Sequence, residues 1–140
     1  VEDLVALLEP DFFVDRDSVR EAVARQAHFN AIHRKAFLKV DVHVRPRPGH
    51  FAEEIRRARE LRLSPAGSAR LATAEDTVLR KLWWYRLRGE VSDQQWRDVQ
   101  GVLRMVGTTL DHDYLGRWSK DLEVGDLLRR AWLEAGLGGR

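Results

Sequence analysis

The stretch TAEDTVLRKLWWYRLRGEVSDQQWRDVQGVL, Thr73 to Leu103, reads as two consecutive capped helices. Thr73 stands at an N-cap position, Glu75 and Asp76 fill the first turn, and Gly89 follows the end. The spacing predicts a helix over residues 74–88, with Val78, Leu82 and Tyr85 forming a stripe of the kind that faces a core. Ser92 and Gln95 form a capping box that opens the second helix, which runs along Trp96, Val99, Leu103 and Val106 to Gly107. Farther on, Asp111 caps a shorter helix carrying Tyr114, Leu115 and Trp118. A last helix places Leu127, Leu128, Ala131, Trp132 and Ala135 on one side before a glycine-rich tail.

Upstream the pattern changes. An amphipathic segment, residues 1–9, stops at Pro10, and Asp11–Asp15 (DFFVD) is a strand candidate. Asp17 or Ser18 can cap a helix reaching about Gln26. Residues 29–34 and 36–45 then read as an antiparallel hairpin turning at Arg34 and Lys35. Side chains alternate along a strand, so Leu38, Val40, Val42 and Val44 share one face, and Phe37, Lys39, Asp41, His43 and Arg45 the other. On that second face Asp41 and His43 lie roughly 7 Å apart. Arg45–Gly49 (RPRPG) reads as a loop, residues 50–60 as a charged helix, and Ser64–Gly67 as the turn of a small hairpin. The expectation is an α/β (α+β) fold: a mixed sheet with its helices over residues 1–72, then a helical part of the same domain over 73–140.

The chain has 140 residues, enough for one domain with a core, and 44% hydrophobic against 33% charged residues argues against disorder. A net charge of +2 is too small to imply nucleic acid as a partner. The absence of cysteine excludes disulfides and thiolate metal sites and fits a reducing compartment. The longest apolar runs are too short to span a bilayer and no leader pattern opens the chain, so a cytoplasmic location is the default expectation. Val1 leads directly into the amphipathic pattern, as expected of a chain that starts within a domain.

Several residues invite a chemical reading. Asp41 is an acid within a β-branched strand, which suits a Mg²⁺ ligand or general base lining a cleft; it equally suits a solvent-facing strand paired with Lys39. His43, with His33 across the hairpin, would add metal ligands, although surface histidines of this kind are common. The acidic pairs Asp15/Asp17, Asp111/Asp113 and Glu75/Asp76 all sit at helix starts, where capping explains them. Lys81, flanked by Arg80, Trp83 and Trp84, could meet phosphates, while the aromatics fit a core. Arg56, Arg57, Arg59 and Arg62 read as a solvated helix face. No Ser-His-Asp arrangement, Walker loop or Rossmann fingerprint is present.

The run Thr73–Leu103 resembles the C-terminal helical part of prokaryotic nucleotidyltransferase-fold proteins related to the AbiEii toxin family. There a "PED" helix carries a lysine and an arginine, and the next helix an Arg-Asp or Lys-Asp pair. FNAIHRKAFLKVDVHV, residues 29–44, resembles the strand pair presenting that family's third carboxylate. The resemblance covers most of the chain from about residue 10. It implies Asp41 as a Mg²⁺-binding carboxylate, Lys81 as the catalytic lysine facing the nucleotide phosphates, Arg97-Asp98 as the following pair, and Arg86 as the first helix's arginine. Transfer of a nucleoside monophosphate from a nucleoside triphosphate to a protein, RNA or small-molecule acceptor would follow.

The family's Gly-Ser turn and Asp-x-Asp strand have no counterpart in these residues. The chain on its own is therefore expected not to transfer nucleotides. The alternative is a catalytically incomplete nucleotide-binding or toxin–antitoxin-type interaction protein. No membrane partner is expected, and an unpaired sheet edge would favour a homo-oligomer. The nucleotidyltransferase reading requires Asp41 and Lys81 to face one polar hollow.

Overall fold

The computed structural model describes residues 1–45, 49–65 and 67–138, which form two compact units, Val1–Ala52 and Glu53–Arg140. The division falls inside a helix rather than after Ala72, so the second hairpin goes with the helical part. Pro46, Arg47 and Pro48 of the expected RPRPG loop, Ala66 of the second turn, and the last two residues of the tail lie outside the described residues.

The first unit contains α1 (Glu2–Leu8), β1 (Phe12–Val14), α2 (Arg16–Arg25), β2 (His28–His33) and β3 (Lys39–His43). Asp15, not Asp17 or Ser18, caps α2, its carboxylate accepting from the Ser18 N–H at 2.9 Å. Gln26 in the left-handed conformation (φ 52°) ends that helix. The strands form an antiparallel sheet in the order β1-β2-β3. Val19 and Ala22 of α2, three residues apart on one helix face, pack with Val5, Val14, Phe29 and Ala31 into a small core.

The second core gathers around α4 (Ala74–Leu87), α5 (Asp93–Val106), α6 (His112–Asp121) and α7 (Gly125–Glu134), with a 3-10 turn at Gly107–Thr109. Val78, Leu79, Leu82 and Tyr85 of α4 meet Val99 and Leu103 of α5, Tyr114 and Leu115 of α6, and Leu127 and Ala131 of α7. The caps fall where expected: the Thr73, Ser92 and Asp111 side chains accept from the Asp76, Gln95 and Tyr114 N–H groups.

Helix α3 (His50–Arg57) is shorter than the expected 50–60, because Arg59–Ser64 turns into β4 and pairs antiparallel with β5 (Gly67–Leu71). Both strands of this hairpin are largely exposed. Arg70 secures it by donating from Nη2 to the Ile55 and Ala58 carbonyls, at 2.9 and 3.2 Å, at the end of α3. The architecture is α+β as expected. Every strand pairing is antiparallel, however, so the described residues form no mixed sheet.

Candidate functional site

Helix α4 carries two groups of polar side chains. The first is at its N-terminus. Asp76 is fully buried (0% exposed); its Oδ1 accepts from the Tyr114 hydroxyl at 2.5 Å and its Oδ2 from the Thr73 hydroxyl at 2.8 Å. Arg57 brings its Nε to 3.5 Å from Asp76 Oδ2 and its Nη2 to 3.4 Å from Glu75 Oε2. The same guanidinium lies 3.7 Å from the Tyr114 ring centroid, a cation–π contact.

This surrounding sets the protonation of its members. Burial, reinforced by the hydrogen bond to the Asp76 carboxylate, pushes the Tyr114 phenol well above the ordinary tyrosine value. For Glu75 burial works upward, but is outweighed by its own N–H and that of Asp111, the Thr73 hydroxyl and the Arg57 charge, which together hold the carboxyl below its usual value. Both Asp76 oxygens thus accept a hydroxyl hydrogen bond, as a buried carboxylate requires, and Arg57, whose Nε makes no hydrogen bond, supplies the counter-charge.

The surroundings of these residues differ from what the sequence predicts. Asp76 is more than a first-turn acid, and Arg57 is half-buried against it rather than part of a solvated helix face. Arg59 and Arg62 lie on β4, not on a helix. One signal for Asp76 was available: it precedes Leu79 by three residues and so shares the buried face of α4.

The second group lies along α4 and α5. The Lys81 ammonium is 2.8 Å from Asp98 Oδ2 and donates to Gln95 Oε1 at 3.3 Å. The Lys81 side chain is 25% exposed and that of Asp98 43%, so the pair is open to solvent on one side. The neighbouring Arg97 is exposed and makes no ion pair among the described residues. Arg86 is held elsewhere, at 2.5 Å from Asp126 and 3.2 Å from Glu90. Burial works to raise the Asp126 carboxyl, but the Leu127 N–H and Arg86 hold it below its usual value. The structure thus brings together Lys81 and Asp98 of the expected set and directs Arg86 to a different partner.

Asp41 belongs to the other unit, on the exposed face of β3. Its carboxylate is 48% exposed and lies 3.3 Å from Lys39 Nζ, with Asn30 opposite on β2. His33 does not stand across from His43. It pairs with Phe12, and its Nδ1 accepts from the Lys35 and Ala36 N–H groups in the hairpin turn. His28 faces His43 instead, ring centroids 5.4 Å apart. Phe37 also departs from expectation: it lies in the turn at φ 53° and is 81% exposed, and β3 begins at Lys39.

These residues do not fit a Mg²⁺ site by themselves. Asp41 offers one carboxylate, already beside a lysine, and no three potential ligands cluster among the described residues.

Searches against family models, curated proteins and solved structures returned no match to this chain.

Proposed function

We propose that this chain is part of a nucleotidyltransferase-like unit that handles nucleoside triphosphates. The observation supporting this most is the pairing of Lys81 with Asp98 across α4 and α5, at 2.8 Å. The resemblance assigns these two residues to one site, although they are 17 positions apart. A partly exposed ion pair contributes only about 0–1 kcal/mol, so phosphate oxygens can compete with Asp98 for the ammonium. Arg97 beside it supplies a second cation suited to bidentate phosphate contact.

Lys81 and Arg97 would bind and orient the phosphates, with Asp98 holding Lys81 in place before nucleotide arrives. Nucleotidyl transfer further needs a cluster of carboxylates, which the described residues do not bring together. The chain alone therefore binds nucleotide without transferring it, and acts as an enzyme only together with a Gly-Ser turn and an Asp-x-Asp strand.

Calorimetric titration with ATP and GTP, with and without magnesium, tests this. Lys81→Ala is expected to weaken binding about 10- to 100-fold, the range for losing one charge-assisted hydrogen bond. No heat with any triphosphate, or equal affinity for wild type and variant, would end the proposal.

A further inference from the structure

We infer that the helical unit carries a second binding site, between α6 and α7, for a small organic anion with a flat apolar body. The inference is independent of the nucleotide reading. A hollow of about 960 Å³ opens there, bounded by the 3-10 turn and by the described tail residues after α7. That volume is within the range of small-molecule pockets.

The lining shows what the hollow would accept. Leu115 (1% exposed), Leu128 and Trp132 form its apolar part, and the Trp132 ring meets the His112 ring edge-on at 4.9 Å between centroids. Its charged lining residues are Lys120 and Arg129; no aspartate or glutamate lines the hollow among the described residues. Neither cation enters an ion pair or hydrogen bond there, whereas Arg86 and Arg130 of the same bundle are each held by a carboxylate. An apolar wall with two unpaired cations and no acid complements a carboxylate, sulfonate or monophosphate on a hydrophobic body.

Gly116 points the same way. It sits within α6, where glycine is the least favourable residue after proline, and it lines the hollow. A Cβ built on it finds nothing within 4 Å, so no neighbour in the fold excludes a side chain. A larger residue there would occupy the hollow, and glycine leaves the space open.

The probe is 2-naphthoate, compared with the uncharged 2-naphthalenemethanol, by calorimetry and by NMR of the tryptophan indole N–H groups. From its size 2-naphthoate is expected to bind with a Kd of about 1 mM or below. The alcohol should bind at least about fivefold more weakly, as a charged partner is lost. Lys120→Ala combined with Arg129→Ala should reduce 2-naphthoate affinity about fivefold or more, and Gly116→Leu more than about tenfold, with both proteins keeping the wild-type melting temperature or exceeding it. The Trp132 indole should shift most. Absence of binding, equal affinity for acid and alcohol, unchanged affinity in Gly116→Leu, or shifts confined to other tryptophans would each overturn the inference. The surface double variant keeps the test decisive if Gly116→Leu fails to fold.

Discussion

Asp41 and Asp76 are the same residue in opposite surroundings. Asp41 stands on the open face of a three-stranded sheet, half exposed and beside one lysine. Asp76 is sealed beneath the N-terminus of α4, where Tyr114, Thr73 and Arg57 all converge on its carboxylate. The acid with the stronger chemical suggestion in sequence thus has the weaker structural commitment. Water screens the Asp41 pair and can replace it, whereas Asp76 is fully buried, so its partners are obligatory.

The comparison can be broken most directly at Asp76. Asp76→Ala leaves Arg57 without its buried counter-charge and the Tyr114 hydroxyl without its acceptor, and should lower unfolding free energy by about 3–5 kcal/mol in urea denaturation. A loss under about 1 kcal/mol would mean the cluster repacks or hydrates freely.

Tyr114→Phe removes one arm of that cluster and should cost about 1.5–3 kcal/mol near neutral pH. Its pH dependence sharpens the assignment. The unfolded phenol titrates near 10.0 and the folded one higher, so the stabilisation is complete below pH 10 and is lost as pH rises toward the folded value. Wild type and Tyr114→Phe should therefore converge in stability as urea midpoints are followed into alkaline solution. Parallel curves would argue against a buried, hydrogen-bonded phenol.

The smallest effect belongs to Asp41→Ala, which should change stability by no more than about 0.5 kcal/mol. A loss near that of Asp76→Ala would show that the sheet face is covered in solution.

The two halves of the molecule also differ in how fully their sequences could be read. In the helical unit the caps at Thr73, Ser92 and Asp111 form as the sequence predicts, because each is a hydrogen bond between residues three apart. The Val78–Leu82–Tyr85 stripe is buried as its period requires. Around residue 58 the helix ends earlier than the sequence predicts: Arg56–Arg62 is charged except at Ala58 and Leu61, and carries no period to separate the end of α3 from the start of β4. In the hairpin the alternation of faces holds, but the register does not follow from the sequence. Placing His28, not His33, opposite His43 depends on a turn in which Phe37 adopts a left-handed backbone.

The candidate sites divide along the same line. Lys81 and Asp98, which the resemblance groups, stand 2.8 Å apart, but Arg86 pairs with Asp126, 40 residues away on α7, a partner that no local pattern names. The buried partners of Asp76 lie outside any local pattern, and an acid in a first turn already has a sufficient local explanation.

By itself, then, the order of residues determined where α4, α5 and α6 begin, which of their faces are apolar, and that strands precede a helical half. These are consequences of contacts within a few positions, where covalent geometry leaves few choices. Only the tertiary structure decided that Asp76 faces Tyr114 across 38 positions and that α6 and α7 leave a basic, apolar hollow between them. Such pairings depend on the angles and offsets at which whole helices pack, and many residues share in setting those.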